Sequence, residues 1–185
     1  MKRLDSAISG IISILEKREK VQDQLVVLSR EIVRECANAI KSIHAREMPP
    51  AEARITNAGK LVKNARKIEG EMEHIMMQAY QEFAEARILL SILKGSELPT
   101  PESLDIPLEA YLTGICDAIG ELRREMLEEL KRGNKKEARH YFESMNEMYE
   151  ATLPIRFSNS LIPNFRRKQD VARIQVEQAR SELLR

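Results

Sequence analysis

Val21, Leu25, Leu28, Ile32, Cys36, Ala39 and Ile43 recur at steps of three or four residues, which places them on one side of an α-helix. Val26, Val33 and Ile40 add a neighbouring stripe, so the buried face is wide. The pattern predicts a single helix over residues 4–46. Met48-Pro49-Pro50 ends it, because proline lacks an amide N–H and restrains the residue before it. A helix of ~40 residues spans ~60 Å at ~1.5 Å per residue. A chain of 185 residues buries one substantial core, and so long a helix overshoots it. The excess apolar surface points to self-association.

Few turn formers interrupt the chain, which has seven Gly and seven Pro. A second long helix is expected over 51–94, broken at Lys94-Gly95-Ser96. A third spans 105–131, opened by Pro107 and closed by Arg132-Gly133-Asn134. A fourth covers 135–150, a short one lies around 156–161 between Pro154 and Pro163, and a last one runs to about 184. No hairpin signal separates alternating apolar runs, and with aromatics at 4% and no Trp a β-sandwich core is disfavoured. The expected fold is all-α, a long-helix bundle forming a single domain over 1–185.

Thirty basic residues against 29 acidic ones leave a net charge of +1, which argues against a globally basic nucleic-acid binder. Any polyanion site must be a local patch. Cys36 and Cys116 lie in helical stretches without metal-type spacing, so neither a disulfide framework nor a zinc module is expected. Apolar runs of about four residues are far too short to span a membrane. The first 20 residues read as a helix rather than a signal peptide, and a cytoplasmic location is expected from the missing signals.

Two acidic pairs carry the chemistry. Glu82 and Glu85, spaced i,i+3, share a helix face that continues through the apolar Leu89 and Ile92. Asp117 and Glu121, spaced i,i+4, share a stripe with Ala110 and Gly114, and Gly120 lies alongside. Small residues there let another helix approach closely. The opposite stripe, from Leu108 through Leu112, Ile115, Ile119 and Leu122 to Met126, reads as ordinary core. Glu82 lies about 12 residues before the end of its helix, and Asp117 about 12 residues after the start of the next. In an antiparallel pair both sit ~18 Å from the turn. Four carboxylates at one depth repel unless a cation joins them. Oxygen-only ligands suit Mg²⁺ or Mn²⁺, which can activate water and neutralise a phosphodiester. In a chain with 29 acids such pairs also arise as solvated faces, and spacing alone leaves both readings open.

Glu71 with His74 and Glu137 with His140 form two Glu-x-x-His pairs of the kind a di-iron bundle uses. Their depths argue against it, since Glu137 and His140 sit within about seven residues of a turn while Asp117 and Glu121 lie ~10–16 residues from it. His44, at a helix end, reads as a capping hydrogen-bond donor. Lys60, Lys63 and Lys67 form a basic stripe beside Arg66, Arg30 and Arg34 form another, and Arg166, Arg167 and Lys168 open the last helix. Each suits backbone phosphate or a solvated face, and with so few aromatics any recognition would be weakly sequence-specific.

These residues together resemble the translin family, which comprises translin and its partner Trax. Leu28-Ser29-Arg30-Glu31-Ile32, followed by Ile40, Ile43 and His44, is similar to the family's first-helix pattern. Gln81-Glu82-Phe83-Ala84-Glu85-Ala86, Tyr111-Leu112-Thr113-Gly114 and Asp117-Ala118-Ile119-Gly120-Glu121-Leu122 resemble the acidic segments of Trax. Lys168-Gln169-Asp170-Val171 with Arg173 resembles the last helix, while Gln175 stands where the family tends to place Glu. The resemblance spans about residues 20–183. It implies hollow, octameric all-α assemblies that bind single-stranded RNA or DNA, and a metal-dependent endoribonuclease site in Trax. Translin lacks the full acidic set; here Glu82, Glu85, Asp117 and Glu121 are all acidic. The resemblance thus implies a homo-oligomeric Mg²⁺ or Mn²⁺ endoribonuclease, with these four acids as catalytic and metal-binding residues. Glu85 is assigned to the attacking water, and Arg30, Arg34, Lys60, Lys63 and Lys67 to the RNA backbone. The alternative is a non-catalytic translin-like oligomer that binds single-stranded nucleic acid.

Overall fold

The protein is described by a computed structural model over residues 2–184. All its regular structure is helical: α1 (Lys2–His44), α2 (Met48–Ile68), a 3₁₀ helix (Gly70–Ile75), α3 (Met77–Leu93), the single turn α4 (Pro101–Leu104), α5 (Leu108–Lys131), α6 (Lys135–Thr152) and α7 (Phe165–Leu183). α1 packs on α2 and α3, α5 packs on α3, α6 and α7, and α6 meets α7. No described helix is long and apolar enough to cross a membrane.

The stripe on α1 is buried as its periodicity requires, with Leu25, Ile32, Cys36, Ala39 and Ile43 all at 0% exposure. The first half of the helix has no such cover. Residues 3–20 are exposed throughout, and Leu4, Ile8, Ile11, Ile12, Ile14 and Leu15 are each at least 46% exposed. α1 therefore projects from the bundle as an apolar arm.

The expected continuous helix over 51–94 is instead three pieces. Pro49 and Pro50 open α2 rather than merely ending α1, because proline's missing N–H is harmless in the first turn. α2 stops at Ile68. Gly70 takes a left-handed φ of 48° and Met72 leaves helical geometry. Buried Glu69 anchors this kink by accepting hydrogen bonds from Arg66 and Tyr80, and Arg66 also reaches Glu73 at 2.7 Å. The short helix expected around 156–161 is irregular chain. A single turn closes on the Ser158 carbonyl, which accepts the Leu161 and Ile162 amides, but it does not propagate: Ser158 bonds Ser160, and Asn159 accepts the Asn164 amide at 2.9 Å. The third helix begins at Leu108, not 105, after Asp105 adopts a left-handed φ of 56°. Leu108, expected in the core, is 56% exposed, while Ile119, Leu122 and Met126 are buried.

Candidate carboxylate site

α3 and α5 run antiparallel and touch at Gly114. A β-carbon there would lie 2.7 Å from the Ala84 β-carbon and 2.8 Å from the Gln81 carbonyl oxygen. This contact is the close approach that the small residues predicted. One turn along α5, Gln81 donates to Asp117 Oδ2 at 2.8 Å. The two acidic pairs thus face one another across the helix pair, at the depth that counting from the turn indicated. Gly120 plays no such part, since a β-carbon at that position would meet nothing within 4 Å.

Glu85 is the most enclosed of the four, at 8% exposure, and Glu82 is half-buried. Burial pushes the Glu85 carboxyl up to about 9, helped by the charges of Glu82, Asp117 and Glu121 and opposed by Lys168. Glu82 is raised by burial and by Asp117 and Glu121, again against Lys168. The other two acids have cationic partners. Lys168, from the start of α7, donates to both Asp117 oxygens at 2.6 and 2.7 Å. His44, at the end of α1, places Nε2 2.5 Å from Glu121 and Nδ1 2.5 Å from Glu125.

With a carboxylate on each nitrogen, His44 is held as an imidazolium. Burial alone would lower its pKa, but the hydrogen bonds to Glu121 and Glu125 outweigh that and raise it to about 9. The same contact with His44 lowers the Glu121 pKa. Glu125, 1% exposed, also pairs with Arg46 at 3.0 Å, and Arg46 continues to Glu129. His44 is therefore more than a cap. It links the α1 terminus to α5 and fixes one of the four acids. Cys36 closes the α1 side, its thiol pushed up by burial and by Glu82 and Glu85.

A carboxylate set without sulfur or free imidazole suits a hard divalent cation, so the residues present fit Mg²⁺ or Mn²⁺. In the arrangement described, Asp117 and Glu121 are held by Lys168 and His44, and among the described residues no group of three or more His, Cys, Asp or Glu side chains is already disposed as a ligand set. Taking up a cation requires these side chains to exchange partners.

The di-iron alternative finds no support. His74 is exposed on the 3₁₀ helix, and His140 is exposed on α6 beside a groove lined by Tyr111, Ile115 and Met148. That groove, of about 550 Å³, is roomy but contains none of the four acids. The basic candidates are dispersed. Lys60 and Lys63 line a cavity between α2, α3 and α4, Lys67 lines an apolar groove with Val27 and Ile68, and Arg30 and Arg34 are exposed on α1. Sequence reasoning missed Glu125, although it continues the Asp117–Glu121 spacing by another four residues. Lys168, which by sequence suits backbone phosphate or a solvated face, is instead a partner of Asp117.

Known proteins share this helical fold. An uncharacterized protein of Methanocaldococcus jannaschii is 32% identical over 181 residues, covering 96% of this chain and 81% of that protein. The crystal structure of AfC3PO is similar at a TM-score of 0.88 and 29% identity, and its complex with duplex RNA at 0.88 and 28%; each covers 96% of this chain and 95% of the other. Apo-NeC3PO has the same coverage, a TM-score of 0.87 and 22% identity, a likeness of fold alone. Residues 1–181 match the Translin family, and the chain belongs to it.

Proposed function

We propose that this protein is a metal-dependent endoribonuclease that hydrolyses phosphodiesters of single-stranded RNA at the four-carboxylate site, within an oligomer of its own copies. The carrying observation is the meeting of Glu82, Glu85, Asp117 and Glu121 at the Gly114 crossing, with Glu85 driven toward its protonated form. Anions that raise one another's proton affinity gain most from a hard cation. Glu82, Glu85, Asp117 and Glu121 would hold Mg²⁺ or Mn²⁺, which would supply charge neutralisation at the phosphodiester and lower the pKa of a water.

The chain's own residues do the rest. Before a cation is taken up, His44 holds Glu121 and Lys168 holds Asp117, so both acids of α5 are positioned from outside their own helix. Glu85 holds its own proton until a bound cation displaces it, and the freed carboxylate would then accept the proton of the attacking water. Arg30, Arg34, Lys60, Lys63 and Lys67 are all exposed and supply weakly sequence-specific backbone contacts. The exposed apolar face of the α1 arm supports assembly, and the resemblance implies an octamer. The duplex RNA held by the similar AfC3PO supports RNA as the ligand class.

One observation favours a second reading. Lys168 and His44 already neutralise two of the four acids, as they would in a purely RNA-binding oligomer. Cleavage of end-labelled single-stranded and duplex RNA in Mg²⁺, Mn²⁺ or EDTA separates the two, with wild type run beside Glu85→Ala and Asp117→Ala. Metal-dependent cutting of the single strand, lost in both variants while RNA binding persists, supports the nuclease. Binding without cutting in either metal refutes it in favour of the second reading.

A further inference from the structure

We infer that the far side of α3 carries a binding site for a phosphate group, built from Lys60, Lys63 and Arg87. This site is separate from the acids. At 3.6 residues per turn, Phe83 and Arg87 point roughly 150° around α3 from Glu82 and Glu85. They face α2, where the Phe83 ring tip lies 3.3 Å from the position a β-carbon would take at Gly59. That contact sets the α2–α3 spacing and leaves beside it a cavity of about 350 Å³. Lys60 and Lys63 line it from α2, Arg87 from α3 and Ser103 from α4, and no acidic residue is among the lining residues.

Three cations thus share one cavity with no anion. Among the described residues none of them forms an ion pair, whereas Arg54, Arg66 and Arg123, also packed between helices, each do. Arg87 Nε is shut off from solvent and lacks a hydrogen-bond partner. Buried N–H donors are satisfied in almost all folded proteins, so the unpartnered Nε–H shows that no acceptor among the described residues serves Arg87 beside the cationic cavity. A tetrahedral oxyanion in the cavity supplies an acceptor: the Nη groups of Arg87 take its oxygens, and the lysines add point charge. The volume falls within the range of small-ligand pockets and exceeds that of a bare phosphate, leaving room for an attached sugar. The phosphate can come from a nucleic-acid strand or from a free phosphate compound. Only the strand as source rests on the RNA-binding part of the function proposed above, and neither source rests on cleavage.

The test is calorimetric titration of the full chain in EDTA at constant ionic strength, with inorganic phosphate and with a 2′-O-methyl RNA dodecamer as probes. Wild type is compared with Arg87→Gln, the double variant Lys60→Met/Lys63→Met, and Lys136→Met as a control for an exposed lysine elsewhere. The lysine variants are at exposed positions and keep the test valid if Arg87→Gln folds poorly. Saturable binding of at least one probe is expected, weakened about tenfold or more in Arg87→Gln and in the double variant, and unchanged in Lys136→Met. If the dodecamer displaces phosphate and is weakened in the same variants, the source is a strand. If only phosphate depends on Arg87, the source is a free phosphate. Absence of saturable binding by either probe, or equal binding by all four proteins, overturns the inference, while cleavage at the acids is read separately by the metal-dependent assay with Glu85→Ala and Asp117→Ala.

Discussion

Gly114→Ala places a methyl group where α3 and α5 come closest, and the structure predicts its consequences in both stability and activity. The new carbon would meet the Ala84 β-carbon at 2.7 Å, the Gln81 carbonyl oxygen at 2.8 Å and the Glu85 amide nitrogen at 3.2 Å. Two of the three are backbone atoms, so no rotamer change relieves the overlap. Restoring carbon–carbon contact to ~3.5 Å moves the helices apart by about 0.8 Å. Overpacking of this kind costs ~1–3 kcal/mol, while the better helix propensity of Ala returns ~1 kcal/mol. The net loss is up to about 2 kcal/mol, or a Tm lower by up to roughly 8 °C for a chain of this size. Because the shift separates Glu82 and Glu85 from Asp117 and Glu121, RNA cleavage should fall by up to ~10²-fold. Gly120→Ala is the matched control in the same helix. Nothing lies within 4 Å of its new carbon, so only the propensity gain remains and the variant should be more stable than wild type. Urea denaturation in EDTA, alongside the cleavage assay, reads both effects. Equal stability of the two variants would refute the account of Gly114 as the contact that sets the site.

Other predictions concern charge. Glu85 is raised from an ordinary carboxyl value to about 9, so the folded chain keeps a proton that the unfolded chain has lost. Its stabilising contribution is complete below about pH 4.5 and declines as pH rises to about 9. Glu85→Gln should flatten that decline and be more stable than wild type at pH 8 in EDTA; parallel pH profiles in urea melts would contradict this. His44, raised from 6.5 to about 9, stabilises fully below pH 6.5 and loses its contribution as pH rises through 9. His44→Leu leaves Glu125 buried without that partner and should cost about 3 kcal/mol at pH 6. The double variant His44→Leu/Glu125→Leu should recover part of the loss, and no recovery would count against the pairing. Mn²⁺ binding should displace the Glu85 proton, so affinity rises between pH 6 and 9. Calorimetry in two buffers of different ionisation enthalpy measures the released protons, and none would be found if Glu85 is not a ligand.

Periodicity was enough to read the all-α architecture from the residues alone. The stripe from Leu25 to Ile43 is a local property of the chain, and so is the facing of Glu82 with Glu85 and of Asp117 with Glu121. Counting residues from the connection placed the two pairs at one depth, because rise per residue is the same in both helices. The kink after Ile68 was not legible. One Gly within a helical pattern costs only ~1 kcal/mol, so its effect depends on context. Here Tyr80, eleven positions from Glu69, supplies the buried hydroxyl that anchors the break. The same holds for the cations at the site. Lys168 meets Asp117 across 51 positions and His44 meets Glu125 across 81, so only helix packing decides these partners. The sequence thus determined which acids lie on a common face. The tertiary structure alone decided which of them are paired with a cationic side chain and which are left buried with a raised proton affinity, because screening and burial depend on neighbours that are distant along the chain.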